Sequence, residues 1–172
     1  MSATQQMGVF QQPDSLRWFM KDSLKPGLSL EFKYTVPENK TVPYLFPEAP
    51  EFQIMPNVLA TGFMVGLFEW ACIKMLTAHL DWPDEQSVGT GFTLNHLAAT
   101  PPGLTINVQV KLENVEGKKL FFSITADDGV DKISEATHER FVINAEDFNK
   151  KVAKKREEVF EKFSNFGLPP NR

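Results

Sequence analysis

Residues 61–80, TGFMVGLFEWACIKMLTAHL, contain no proline and place apolar side chains on nearly every side of a helical wheel. A helix of that kind is surrounded by protein rather than laid on a surface. Its predicted end is Asp81, Trp82, Pro83 and Asp84, because the residue before a proline is pushed out of helical geometry. Upstream, Leu28, Leu30, Phe32, Tyr34 and Val36 alternate with Ser29, Glu31, Lys33 and Thr35 up to Pro37, the period-two pattern of a strand with one buried face. Between that strand and the helix, Pro43, Pro47, Pro50 and Pro56 argue against both helix and inner strand, and predict an aromatic loop carrying Tyr44, Phe46 and Phe52 that covers a pocket.

Downstream of the helix the pattern is all strand. Val88 to Leu97 is rich in strand-favouring residues, and Thr100, Pro101, Pro102 and Gly103 form a turn into Thr105 to Val115. Glu116, Gly117 and Lys118 read as a hairpin into Leu120 to Ala126, and Asp127 to Val130 lead on to Ile133 through Ile143. Asn144 is a good N-cap for a terminal amphipathic helix, with Glu146 and Asp147 in its first turn and Phe148, Val152, Val159 and Phe163 as its stripe. Lys150, Lys151, Lys154, Lys155 and Arg156 lie among acids and are read as its solvated face rather than a phosphate site. One strand, a buried helix, then four strands make an α+β domain in which the helix packs on one face of an antiparallel sheet. Leu16, Trp18, Phe19 and Met20 fit a short docking helix, and Gly167, Pro169 and Pro170 a loose tail. The expected organisation is an N-terminal extension over residues 1–23, one domain over 24–152, and a helix continuation and tail over 153–172.

With 172 residues, 42% hydrophobic and 23% charged, the chain is long enough to bury a core without disulfides or metal. Fifteen Phe and three Trp point to an aromatic core or an apolar ligand pocket. A net charge of −4 with no segregated basic face argues against nucleic-acid binding. The N-terminal residues have no basic region followed by an apolar one, and the longest apolar stretch is interrupted by Glu69, short of the roughly 20 residues of a membrane span. Cys72 is the single cysteine and lies in an apolar run, which predicts a buried thiol. The expectation is a soluble cytoplasmic protein with no membrane partner.

Glu69 is the only charged side chain between Val58 and Ile73, and a carboxylate inside a buried helix requires a partner or a chemical role. Burial alone leaves a structural ion pair and catalysis equally open. Thr61, two turns earlier, either caps the helix or projects into a site, capping being the commoner role. Eight residues separate the two by about 80° around the axis and about 12 Å along it, so they do not touch within one helix. His96 ends the strand Val88 to Leu97 on the face of Thr90, Phe92 and Leu94, where a histidine is more often structural. His79, His96 and His138 lack zinc-site spacing, and no G-x-S-x-G, G-x-x-x-x-G-K-[ST] or G-x-G-x-x-G motif is present. No metal is expected.

Three segments, LATGFMVGLFEWACIKML, GTGFTLNHLAATPPGLT and DDGVDKISEATHERFVI, together with the PEAPEF loop, resemble the fluoroacetyl-CoA thioesterase group of hotdog proteins over about 130 residues from Leu24 to near Val152. The resemblance implies a hotdog fold, an antiparallel sheet wrapped around the central helix with an additional C-terminal helix. It also implies edge-to-edge pairing of sheets in a homodimer, with any higher assembly left open, and hydrolysis of a small acyl-CoA at the subunit interface. No cofactor is implied, CoA being part of the substrate. The family's catalytic threonine, glutamate and histidine fall on Thr61, Glu69 and His96. Gly89 matches a glycine whose backbone contacts the reacting group, and Arg140 of the T-H-E-R motif matches an arginine paired with the glutamate. Phe52 and Met55 are pocket candidates. Met55 stands where the fluoroacetyl-selective pattern carries an aromatic, a departure that reshapes the pocket and removes fluoroacetyl selectivity from the expectation.

Two routes use this residue list, covalent attack by Glu69 and general-base activation of water. A non-catalytic acyl-CoA sensor is the alternative that keeps the pocket and loses turnover.

Overall fold

The computed structural model describes residues 20–165, with side chains up to residue 162. The readings made at Leu16, Trp18 and Phe19, at the Phe163 side chain, and at Gly167, Pro169 and Pro170 lie outside it. Strand β1 (Ser29–Thr35) leads through two short 3-10 turns and the one-turn helix α1 (Pro50–Gln53) to the central helix α2 (Thr61–Leu76). Strands β2 (Glu85–Leu94), β3 (Thr105–Glu116), β4 (Lys119–Asp127) and β5 (Lys132–Asn144) follow, then helix α3 (Ala145–Asn165). The five strands form one sheet in the order β1-β3-β4-β5-β2, every pairing antiparallel.

The sheet curls over one side of α2. Met64, Leu67, Phe68, Ala71, Cys72, Met75 and Leu76 are buried there, against the alternating inward side chains Ile106, Val108, Val110 and Leu112 of β3 and Leu120, Phe122 and Ile124 of β4. Each of the larger side chains contributes roughly 1.5–3 kcal/mol by leaving water. The expectation of protein on every side of this helix needs correction. Thr61, Gly62, Gly66, Trp70 and Lys74 lie on an exposed face of the single chain, because one five-stranded sheet is wide enough to cover only half of a helix. Trp70 leans edge-on against Phe32, 4.8 Å between ring centroids, and remains 46% exposed.

Two further expectations are corrected. The proline-rich loop does contain a helical turn, because Pro50 occupies the first turn of α1, where its fixed φ is compatible and its missing N–H is not needed. The central helix ends at Leu76 rather than near Leu80. There the Thr77 hydroxyl donates to the Lys74 carbonyl and the chain tightens into turns, with both His79 and Leu80 N–H donating to the Leu76 carbonyl. The N-cap of α3 is as expected, the Asn144 side chain accepting from the Asp147 N–H at 3.0 Å.

Candidate active site

Two clusters meet at the open face of α2. The first joins the start of the helix to the segment after β2: Thr61 Oγ1 lies 2.9 Å from His96 Nδ1. The capping reading of Thr61 is therefore overturned. Ala60 holds the N-cap position, no side chain caps the helix, and the Thr61 hydroxyl turns outward to the imidazole. His96 also lies beyond the strand rather than on it, since β2 ends at Leu94. At Asn95 the ladder is altered rather than ended: its N–H and that of Leu97 still donate to the Glu135 and Ile133 carbonyls, but its side chain accepts the Glu135 N–H and its carbonyl accepts the Ser134 hydroxyl. Burial pushes the His96 pKa below the usual imidazole range. Its Nε2 is buried and has no hydrogen-bond partner among the described residues, whereas Nδ1, on the Thr61 hydroxyl, lies at the exposed side of the ring.

The second cluster surrounds Glu69. Oε1 of Glu69 is 3.5 Å from Arg140 Nη1 and 3.7 Å from His138 Nε2. Glu69 is not the enclosed carboxylate its neighbours in sequence suggest: its side chain is 39% exposed, since it stands at the edge of the open helix face. Arg140 is buried and forked over β2, Nε donating to Ser87 Oγ at 2.9 Å and Nη2 to the Ser87 carbonyl at 2.7 Å. Burial lowers the Arg140 pKa and the neighbouring Glu69 charge opposes that shift.

Gly89 lies directly opposite Arg140 in the β2–β5 register, at the edge of a bulge that runs to Gly91. A methyl group there would stand 2.4 Å from Glu69 Oε1, so the carboxylate reaches this backbone only because position 89 has no side chain. No hydrogen bond or ion pair joins the Thr61–His96 pair to the Glu69 cluster among the described residues. A reactant bridging them would occupy the open face between.

The two pocket candidates lie further out. Phe52 packs on Phe46 at 5.6 Å within the loop, and Met55 is half exposed. Neither lines the apolar cavity of about 290 Å³ on the β1 side of the helix, which is bounded by Tyr34, Lys40, Leu59, Phe63, Gly66, Leu67 and Trp70. From the same loop, Leu45 lies over the helix start, where a methyl on Gly62 would meet it at 3.0 Å. Ser87 and His138 were not singled out from sequence. The signal for His138 was its place two residues before Arg140, which puts both on one face of a strand.

A profile of the family described as fluoroacetyl-CoA-specific thioesterase matches residues 44–146. The fluoroacetyl-CoA thioesterase of Streptantibioticus cattleyicolor is 50% identical over 136 residues, covering 79% of this chain and 97% of the relative. A variant of the fluoroacetyl-CoA thioesterase solved in complex with acetyl-CoA superposes with a TM-score of 0.75 at 48% identity, over 77% of this chain and 98% of that one. A thioesterase superfamily member from Thermus thermophilus, 22% identical, shares the fold with a TM-score of 0.69 over 82% of this chain and 98% of its own.

Proposed function

Starting from the fact that the chain belongs to the fluoroacetyl-CoA-specific thioesterase family, we propose that it hydrolyses a small acyl-CoA thioester to the free acid and CoA, with Thr61, Glu69 and His96 as catalytic residues. The observation that carries this assignment is the state of Glu69. Its carboxylate is held on one side by a buried arginine and is open on the other, so it is presented to a reactant as a nucleophile or base.

In the proposed reaction Glu69 either attacks the thioester carbonyl and expels the CoA thiolate, leaving an acyl anhydride that water then hydrolyses, or takes a proton from a water that attacks the carbonyl directly. The Thr61 hydroxyl orients the reacting group, and His96, bonded to that hydroxyl through Nδ1, carries the proton to the departing CoA thiolate. The Gly89 N–H is assigned to the developing oxyanion, where one well-placed donor is worth roughly 3 kcal/mol. No cofactor enters the scheme.

The acting species is proposed to be a cytoplasmic homodimer formed through the β2 edge. Three features support it: β2 is an edge strand of ten residues, Glu69 at the border of the open helix face stands against its Gly89, and Tyr44, Phe46, Ile54 and Met55 are exposed on the loop before the helix. None of the described helices is long and apolar enough to cross a membrane.

The test is thiol release from acetyl-, fluoroacetyl-, propionyl-, butyryl- and longer acyl-CoAs by wild type, Glu69→Gln and His96→Ala, with the mass in solution measured by light scattering. Release that both substitutions abolish supports the assignment and identifies the acyl group. Tight binding with no release from any of the substrates would make the protein an acyl-CoA sensor instead.

A further inference from the structure

We propose that His138 is a positioning residue for this reaction, a neutral imidazole that holds the Arg140 guanidinium in the orientation from which it faces Glu69. The proposal rests on the assignment of Glu69 as the reacting carboxylate. It follows from what each neighbour of His138 is able to do. Nδ1 lies 2.8 Å from the Gly91 carbonyl, which can only accept, so Nδ1 carries a proton. Nε2 lies 2.9 Å from Arg140 Nη1, which can only donate, so Nε2 presents a lone pair. A ring with one proton, on Nδ1, is neutral, and its approach to Glu69 at 3.7 Å is not an ion pair.

The surroundings keep it so. His138 is 2% exposed, with Phe92 of β2 at 4.5 Å and Phe122 of β4 at 6.5 Å between ring centroids. The charged groups around it are Arg140 and Glu69, with Glu139 on the opposite face of its own strand; burial, with the Arg140 charge, pushes its pKa below the usual imidazole range against the Gly91 hydrogen bond and the two glutamates. Protonation would place a second cation against the guanidinium and remove its acceptor.

The geometry gives the imidazole a definite mechanical role. Arg140 Nη1 faces both His138 Nε2 and Glu69 Oε1, whereas Nε and Nη2 are committed to Ser87. With Ser87 and His138 holding the guanidinium at 2.7–2.9 Å, the Glu69 contact at 3.5 Å is the loosest of the set. The arginine is thus fixed by its own scaffold, and Glu69 remains free to move toward a substrate without losing its counter-charge. A positioned cation of this kind acts by preorganisation.

Two isosteric variants separate positioning from packing. His138→Asn keeps a donor near the Nδ1 position for Gly91 and removes the acceptor for Arg140. His138→Gln keeps an acceptor near the Nε2 position and gives up the bond to Gly91. The expected result is a kcat lowered by about 10- to 100-fold in His138→Asn with KM nearly unchanged, and a kcat close to wild type in His138→Gln. Wild-type kcat in both variants, or equal losses that follow their melting temperatures, would overturn the proposal while leaving Glu69 in place. Full activity of Glu69→Gln would overturn the parent assignment and this one with it. Where neither variant folds, nitrogen NMR of the wild-type ring decides, assigned by elimination with His79→Gln and His96→Gln. A neutral ring protonated on Nδ1 at pH 7 is expected, and an imidazolium or a proton on Nε2 would overturn the inference.

Discussion

The Thr61 hydroxyl and His96 Nδ1 are separated by 35 positions in sequence and by 2.9 Å in space, so the first residue of the central helix is bonded to a histidine rather than to its own helix. Replacing Thr61 by Val should therefore leave the melting temperature nearly unchanged, whereas loss of a true helix cap would cost about 1 kcal/mol. Turnover should fall by roughly 10²-fold, and Thr61→Ser should restore most of it. Thermal melts and thiol-release kinetics on the three proteins check both halves. A Thr61→Val protein that melts early and turns over normally would return the residue to a capping role.

Gly89→Ala should remove activity, because the added methyl would fall 2.4 Å from Glu69 Oε1 and 3.2 Å from His138 Cε1. Overpacking of this kind costs typically 1–3 kcal/mol. Gly91→Ala, two residues along the strand, is the matched control: its methyl meets Glu139 only at an ordinary 3.4 Å. Comparing kcat and urea midpoints of the pair tests whether closeness to the carboxylate, rather than glycine in the bulge, is what matters.

Arg140→Lys keeps the charge and gives up the fork. An ammonium cannot reproduce the guanidinium's bonds to Ser87 Oγ, the Ser87 carbonyl and His138 together. Loss of about 2–3 kcal/mol of stability is expected from the unmatched buried acceptors. The kcat loss should exceed that of His138→Asn, since the charge itself is displaced. Retention of both stability and rate would mean that only net charge is used.

Stability should fall as pH falls through the histidine range. His96 and His138 both have pKa values lowered by burial in the folded chain, so below about pH 6.5 the unfolded chain binds protons that the folded one does not. The stabilisation is present above the unfolded pKa and lost on acidification, at up to about 1.4 kcal/mol per pH unit for each proton. Urea titrations of wild type and His138→Asn between pH 7.5 and 5 should show a shallower slope for the variant. Identical slopes would mean that His138 takes up its proton in the folded state.

Periodicity carried most of the fold, because Ile106 to Leu112 and the first strand repeat at two while the central helix is long and free of proline. It misjudged what surrounds that helix: an apolar residue reads the same whether its own sheet or another molecule covers it, and Gly66 and Trp70 are left open by this chain. At the site, Glu69 was legible as the one charge in an apolar run. Thr61 and His96 were ambiguous singly, since the contact between them joins residues 35 positions apart. His138 was hidden by a habit of reading histidines as metal ligands or bases, whereas its two neighbours, a carbonyl and a guanidinium, use it as a spacer with one donor and one lone pair.

Acyl-CoA thioesters, above all halogenated ones, react with free thiolates, by acyl exchange or by alkylation. The chain's one thiol, Cys72, is fully enclosed in the core on the sheet side of the helix and burial pushes its pKa up to about 12, so both access and ionisation are withheld from it at neutral pH. Packing that serves the core thereby also keeps the one thiol out of reach of an electrophilic substrate.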